Sequence, residues 1–400
     1  MSNDFREMPK DPKTRSLINA QISRRGLLAA AGGVGAVALL ASCGSDSEIA
    51  AGSFPEDEGG TVRWANWTAY MDQKRVDGER TYPSLNKFIE QTGIDVDYLV
   101  KYNDNDEFYA QVQEKLKAGD DIGYDIVTPT DWMAARWIRL GYARELDSAN
   151  IPNKGNILDT LSDISFDPGR NYSMTWQSGF AGFGWNKDLV DEDILSLDQL
   201  FSEKYKGRVM VLSEMRDTIG IILQYQGVDI SKQFSEDQFM NAIDFLKQKI
   251  SDGYIRQVKG NDYLEDMANG DALAVIGWSG DMFSENLGGQ NYGFAIPESG
   301  GTLWSDNMLI ASTSSNKSNS EKLINHYYDP AIAAEVAAWV NYICPVKGAQ
   351  EEMEKIDPTL AESPFIFPDA ETLSKVQVFR GLSAEEEFNY SDAFQEAIGA

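Results

Sequence analysis

Histidine and cysteine are almost absent from this chain of 400 residues. His326 is the single histidine, so a serine–histidine–aspartate or cysteine–histidine catalyst would have to rely on that one imidazole. A metal site built from several histidines is excluded for the same reason. The two cysteines, Cys43 and Cys344, cannot form a framework of disulfides. We therefore expect neither a metal nor a cofactor.

A glycine-rich phosphate loop and an excess of basic residues are also missing. No GxGxxG or Walker sequence occurs, so we expect no nucleotide cradle. The 63 acidic residues outnumber the 35 basic ones, and the formal net charge is −28. Such a surface repels nucleic acid and favours cationic partners. The alternative is that the acidity only keeps an exported protein soluble or reflects a salty habitat.

The first 43 residues carry an export signal. Arg24 and Arg25 precede a glycine-rich apolar run, which is typical of the twin-arginine export route. That run is about 17 residues long, which is short for a stable membrane span. It ends in Leu-Ala-Ser-Cys43, which resembles a lipobox whose cysteine becomes the lipidated first residue after cleavage. We predict a signal peptide over 1–42 and a flexible, polar tether over 43–60.

The rest of the chain alternates between strand-like and helix-like segments. Strands are predicted at 61–67, 94–100, 124–127, 179–186, 209–212 and 272–278, with helices between them. This alternation is typical of parallel β/α/β units. Because 400 residues exceed one ordinary domain, we predict an α/β protein with two lobes.

Trp304 and Asp306 form the first candidate binding pair. They follow Gly300-Gly301 and precede an apolar run starting at Met308, which indicates a turn leading into a buried strand. Alternate side chains of a strand share a face, so an indole and a carboxylate would lie together. That combination suits an ammonium group. The alternative is that Trp304 belongs to the core and Asp306 caps the next turn.

Other aromatic and acidic residues lie where strands end. Trp67, Trp132 and Trp278 each stand beside turn residues, and loops at strand ends line the ligand crevice of doubly wound folds. Glu214 and Asp217 place two carboxylates at one helix start, where they could bind a ligand or simply favour the helix dipole. Each tryptophan alone favours packing over binding, but four of them in similar positions, Trp304 included, favour an aromatic-walled cleft.

Several stretches together resemble the spermidine/putrescine-binding proteins of bacterial polyamine ABC importers. The matching stretches, in chain order, are 66–70, 124–130, 205–207, 277–278, 303–306 and 341–345. The resemblance implies a two-lobed periplasmic binding fold of type II. It also implies ammonium contacts from Asp306, Glu214 and Asp217, aromatic walls from Trp67, Tyr70, Trp132, Trp278, Trp304 and Tyr342, and a polar contact from Thr130. The chain departs from the usual pattern at Ala69, in the Glu-then-Asp order of the acidic pair and around Phe379.

The resemblance also implies the division of the chain and its role. We expect a first lobe over 61–177 plus 306–350 and a second lobe over 178–305 plus 351–400. The function expected is that of a monomeric receptor, not an enzyme, which binds spermidine or putrescine and delivers it to ABC permease subunits. The lipid on Cys43 would hold it on the outer face of the cytoplasmic membrane. A carbohydrate receptor, or a glycosidase, is the alternative, since aromatic clefts with paired carboxylates also suit sugars.

Overall fold

The computed structural model describes residues 54–102, 105–260 and 262–399. The predicted signal peptide, Cys43 and the tether up to residue 53 lie outside the described residues. No helix within these ranges is both long and apolar enough to span a membrane.

Strands and helices alternate over most of the described chain. The strands are β1 Val62–Trp67, β2 Lys74–Val76, β3 Glu79–Thr81, β4 Val96–Tyr102, β5 Ile126–Val127, β6 Ser173–Asn186, β7 Val209–Leu212, β8 Ile255–Lys259, β9 Ala274–Trp278, β10 Tyr292–Ala295, β11 Gly301–Ile310 and β12 Val376–Gln377. The helices are α1 Pro83–Thr92, α2 Asn105–Ala118, α3 Asp131–Arg139, α4 Asp159–Ser162, α5 Leu197–Leu200, α6 Met215–Tyr225, α7 Glu236–Ser251, α8 Tyr263–Ala268, α9 Ser279–Leu287, α10 Lys317–Tyr327, α11 Pro330–Val340, α12 Ala349–Ile356, α13 Pro358–Ala361, α14 Ala370–Leu373 and α15 Ala384–Ile398. Single 3₁₀ turns occur at Ser148–Asn150, Pro152–Asn156 and Glu203–Tyr205.

Local sequence explains where these elements begin and end. Proline at the first position of α1 has a fixed backbone angle that suits a helix start, and Gly93 ends the helix in the left-handed region at φ 70°. Ser235 and Gln238 form a reciprocal capping box at the start of α7. The predicted strands and helices of both halves are confirmed, with shifts of a few residues at most ends, but β6 begins six residues before the predicted strand at 179–186.

One mixed sheet extends across both lobes of the described chain, in the order β4-β1-β5-β11-β6-β9-β7-β8, while β2 and β3 form a separate pair. β10 pairs with β6, and β12 pairs with β11. β1, β4 and β5 are parallel on one side, and β7, β8 and β9 are parallel on the other. The antiparallel strands β6 and β11 join the two parallel sets. They are therefore the strands that cross from one lobe to the other.

Alternate side chains of the first set fill cores on opposite faces of the sheet. Trp64 and Ile126 belong to one cluster of buried residues, whereas Ala65 and Val127 belong to another. The second set is surrounded by a larger apolar cluster that includes buried residues of β7, α6, α7 and α15. Each lobe thus has its own core, as 400 residues require.

The C-terminal region crosses between the lobes later than the sequence suggested. Met353, Ala361 and Ile366 are buried in the same cluster as Trp64 and Tyr327 of the first lobe, although residues from 351 onward were assigned to the second lobe. Only after this stretch does the chain reach β12 and then α15, whose Phe394 lies in the second core. We infer that this crossing lies after Ile366, and the other lobe boundaries stay predictions.

Candidate functional site

Asp306 lies in the crossing strand β11, between the two cores. Its side chain is 5% exposed, and each carboxylate oxygen accepts one hydrogen bond from a neutral hydroxyl. Tyr70 donates to Oδ2 at 2.7 Å and Thr130 donates to Oδ1 at 2.6 Å. Within the residues that the structure describes, no lysine or arginine forms an ion pair with it. A buried carboxylate without a cation is costly, so this position favours a cationic ligand.

Burial raises the pKa of Asp306 to about 7. The hydrogen bonds from Thr130 and Tyr70 oppose that rise, while the nearby carboxylates Asp131 and Asp217 add to it. Desolvation therefore dominates, because it penalises the charged form. A positively charged group beside Asp306 would reverse this balance and favour the ionised carboxylate.

An aromatic wall stands beside this carboxylate. The Trp304 ring lies 5.3 Å from that of Tyr342, and the Tyr342 ring lies 5.7 Å from that of Tyr70, both measured between centroids. Because Tyr70 also bonds Asp306, Trp304 and Asp306 share a face, as their alternation in the strand predicts. The Trp304 indole Nε1 is buried without a hydrogen-bond partner in the described structure, so this edge could serve a ligand.

Gly179 makes room for the Trp304 ring. It lies directly opposite Trp304 in the β6–β11 pair, and a Cβ added there would lie 2.4 Å from the ring. We expect Gly179→Ala to displace Trp304 and to cost about 1–3 kcal/mol through overpacking. Urea denaturation measures this loss. Gly155→Ala is the matched control, since its Cβ would meet nothing within 4 Å. An unchanged midpoint for Gly179→Ala would mean that Trp304 is not held against β6.

Asp217 provides a second buried carboxylate, in the first turn of α6. The Trp278 indole N–H donates to its Oδ2 at 2.8 Å, and the hydroxyl of Thr302 donates to Oδ1. Burial raises its pKa. Both donors are neutral, as they are at Asp306. The structure therefore brings Asp217, Trp278 and the Trp304 strand together, as the sequence suggested.

Asp281 is a third carboxylate, which the sequence reasoning missed. It accepts hydrogen bonds from the hydroxyls of Tyr342 at 3.1 Å and Tyr263 at 2.8 Å. The Tyr342 ring passes directly over Gly280, where a Cβ would lie 2.4 Å from it. One signal was available: Asp281 stands in the first turn of the helix that follows Trp278, in the same kind of place as Asp217.

The predicted residues Trp132 and Glu214 lie beside a protein cation. The guanidinium of Arg216 is 4.2 Å from the centroid of the Trp132 ring, and its Nη1 is 3.9 Å from Oε1 of Glu214. Arg136 also approaches this ring, at 5.2 Å. The tryptophan therefore already has a cation–π partner within the protein. Their ligand contacts stay predictions.

Trp67 lies at the first-lobe edge of the site. Its indole N–H donates to the carbonyl of Thr128 at 2.8 Å, and its ring lies 4.9 Å from that of Tyr102. Thr128 is two residues from Thr130, which bonds Asp306. Trp67 is thus held by backbone and ring contacts, and its face towards a ligand stays a prediction.

The single histidine does not form a catalytic arrangement. His326 Nε2 lies 3.0 Å from the backbone carbonyl of Ser84, whereas the Ser84 hydroxyl donates to Asp72. Burial lowers the pKa of His326. Because the imidazole does not contact the hydroxyl, it cannot activate Ser84 as a nucleophile. No metal-binding group of three or more suitable side chains occurs among the described residues.

Cys344 is a buried free thiol, as predicted. It packs in the first-lobe cluster, and burial raises its pKa to about 12. A thiol that stays protonated is a poor nucleophile. This cysteine therefore serves packing.

Comparison with known proteins places this site in a family. A model described as bacterial extracellular solute-binding protein matches residues 84–364. The chain belongs to this family. Membership of an extracellular family indicates an exported solute-binding protein.

Similar solute-binding proteins carry related names. The spermidine/putrescine-binding periplasmic protein of Escherichia coli K12 is 27% identical over 321 residues, covering 79% of this chain and 86% of that protein. The putrescine-binding periplasmic protein PotF of the same organism is 26% identical over 335 residues, covering 79% and 85%.

A solved structure confirms the two-lobed α/β fold predicted from the sequence. The spermidine/putrescine ABC transporter substrate-binding protein PotD of Streptococcus pneumoniae superimposes with a TM-score of 0.69 at 25% identity. The match covers 85% of this chain and 98% of that one. The relatives of this solute-binding protein are named as binding components rather than as enzymes.

Proposed function

We propose that this protein is an extracytoplasmic receptor that binds a polyamine, spermidine or putrescine, and delivers it to an ABC importer. The observation that carries the proposal is the set of buried carboxylates beside aromatic rings at the junction of the lobes. Within the described part of the chain, Asp306 and Asp217 accept hydrogen bonds only from neutral donors. The names of the similar receptors support the same ligand class.

The combination of carboxylates with aromatic rings suits a flexible chain of ammonium groups. Each ammonium needs acceptors for its N–H donors and gains from an adjacent ring face. Asp306 with Trp304 and Tyr342 provides one such position, and Asp217 with Trp278 provides a second. Asp281, bonded by Tyr342, adds a carboxylate between aromatic groups. A neutral sugar would bring no positive charge to the buried carboxylates of Asp306 and Asp217, so the alternative of a carbohydrate ligand is disfavoured.

A thermal-shift panel tests the proposal directly. Putrescine, spermidine, their mono-acetylated forms, amino acids and neutral sugars would be compared at one salt concentration. A ligand at a hundred times its Kd stabilises a protein by about 2.7 kcal/mol. We expect a clear rise in Tm with the free polyamines and a smaller rise with the acetylated forms, which keep the same carbon–nitrogen chain but lose one charge. A rise with sugars alone would favour a carbohydrate receptor.

The receptor is proposed to act as a monomer held at the membrane by acyl chains on Cys43. The lipobox-like sequence and the twin arginines support this, because a lipid-anchored receptor stays close to permease subunits on the outer face of the cytoplasmic membrane. Glu58 and Gly60, at the end of the predicted 43–60 tether, bond Ser315 and Asn316 of the first lobe, so we limit the proposed tether to the residues before 54. That tether would let the two lobes reach the permease subunits.

Cys43→Ala is expected to abolish lipid attachment, since the sulfur of Cys43 is the atom that would receive the lipid. Incorporation of labelled fatty acid in cells measures attachment, with Ser45→Ala as a neighbouring control that should still be labelled. Label in the Cys43→Ala protein at the unchanged level would contradict the proposed anchor.

A further inference from the structure

A cluster of charged side chains joins the two lobes outside the carboxylates described above. Glu387 accepts contacts from three guanidinium groups: Arg136 at 3.1 Å, Arg139 at 3.5 Å and Arg216 at 3.3 Å. We refer to these four residues as the arginine–glutamate cluster. Two further acids balance its charge, since Arg136 pairs with Asp106 at 3.0 Å and Arg216 lies near Glu214.

The members of the cluster come from different lobes. Arg136 and Arg139 belong to α3, whose Met133 and Trp137 lie in a first-lobe core. Glu387 belongs to α15, which packs on α7 through stacked rings of Tyr390 and Phe239, 3.8 Å apart. These contacts therefore connect α3 of the first lobe to α15 of the second.

A second contact strengthens the connection. Arg216 of α6 belongs to the second lobe, and its guanidinium lies over the Trp132 ring of the first lobe at 4.2 Å. Arg216 thus contacts Glu387 and Trp132 at once. If the lobes moved apart, it would lose the ring, and Glu387 would lose both arginines of α3.

Burial makes these contacts matter more than ordinary surface ion pairs. Glu387 is 6% exposed and Arg216 is 9% exposed. Charges in such surroundings are screened little by solvent, and removing one partner leaves the others uncompensated. Exposed pairs, by contrast, contribute little.

We propose that Glu387 is a positioning residue that holds the lobes together and raises ligand affinity without contacting the ligand. The effect on ligand affinity rests on the proposed function. A receptor binds with an apparent Kd equal to the intrinsic Kd divided by the fraction of competent molecules. Weakening the arginine–glutamate cluster lowers that fraction. The Kd of every ligand that needs closed lobes would then rise by the same factor.

The test compares Glu387→Gln with Glu385→Gln in the full chain. Glu385 lies on the same helix, is exposed and makes none of these contacts, so it controls for the change in net charge. Hydrogen–deuterium exchange would follow residues 131–139 of α3 without ligand and with saturating spermidine. Calorimetry would give the Kd of putrescine and of spermidine for both variants.

We expect faster exchange over 131–139 in ligand-free Glu387→Gln, restored to the wild-type rate by ligand. We also expect both Kd values to rise by the same factor, about tenfold for a loss of 1.4 kcal/mol. Arg139→Gln, at an exposed position, should change the exchange rate and both Kd values in the same direction but by less. This variant replaces Glu387→Gln in the test if Glu387→Gln does not fold.

Three outcomes overturn the proposal: unchanged exchange in α3, faster exchange that ligand does not restore, or a loss of affinity for only one polyamine. The last would mean that Glu387 acts on the ligand itself. If the wild-type protein bound no polyamine, the proposed function would fail, and the ligand-free exchange rates would still decide the role of Glu387.

Discussion

Asp306→Asn is expected to weaken polyamine binding by two to three orders of magnitude. The substitution keeps the shape of the side chain and can still accept a hydrogen bond from Tyr70 or Thr130. It removes the charge that faces the ligand. Breaking a buried ion pair costs about 3–5 kcal/mol, and each 1.4 kcal/mol corresponds to about tenfold in Kd.

The same substitution should leave the ligand-free protein at least as stable. Burial raises the pKa of Asp306 to about 7, so its ionised form costs the empty protein about 4 kcal/mol relative to an ordinary aspartate. Asparagine does not carry this cost. Lower affinity together with an equal or higher Tm at pH 8 would separate loss of a ligand contact from misfolding.

Calorimetry and thermal denaturation at pH 8 measure the two effects. Asp97→Asn is the matched control, because Asp97 is an exposed residue of β4 and its loss changes the net charge by the same amount. Unchanged polyamine affinity in a folded Asp306→Asn protein would return Asp306 to a structural role beside Tyr70 and Thr130.

The alternation of strands and helices in two lobes could be predicted from the sequence. The strands that cross between the lobes could not be predicted in full. Residues 179–186 were predicted as a strand, whereas β6 begins at Ser173. Its first half contains Ser173, Thr175 and Ser178, which look like loop residues. The Ser173 hydroxyl donates to nearby Asp167, whereas the hydroxyl of Ser178 lies 2.7 Å from that of Ser305 in the neighbouring strand β11. Partners so distant in the chain leave no periodic signal.

The same limit applies to the site. The pairing of Trp304 with Asp306 follows from strand alternation, and the acidic start of α6 follows from sequence spacing. The contact of Arg216 with Trp132 joins residues 84 positions apart, and that of Asp281 with Tyr342 joins residues 61 apart. Only the packing of the two lobes creates them. The sequence thus identified Asp306, Asp217 and the hydroxyl residue Thr130, but neither Asp281 nor the cation Arg216.

The raised pKa of Asp306 gives the ligand-free protein an unusual dependence on pH. An aspartate in the unfolded chain has a pKa of about 3.9, whereas in the folded protein it is about 7. Between these values the folded state binds the extra proton. The contribution of Asp306 to stability is therefore greatest below about pH 4 and falls as pH rises to about 7. The stability difference between Asp306→Asn and the wild type should grow over this window.

Binding should show the opposite trend and tighten as pH rises from 5 to 8. Primary and secondary amines of the ligand stay charged over this range, as lysine does with its pKa of about 10.4. A bound ammonium requires the ionised carboxylate, so binding below pH 7 must release the proton of Asp306. The affinity should then fall by up to about tenfold for each pH unit below 7, and the raised pKa of Asp217 acts in the same direction.

Calorimetry in two buffers with different ionisation enthalpies measures both the affinity and the number of protons released. At pH 6 we expect close to one proton released per polyamine in the wild type and fewer in Asp306→Asn, whose affinity should also vary less with pH. Release of a proton on binding distinguishes this site from an exposed acidic surface. Ordinary carboxylates with a pKa near 4 are already ionised at pH 6, so they would release almost no proton. An affinity that stays constant between pH 5 and 8, with no proton release, would show that Asp306 does not meet the cation of the ligand.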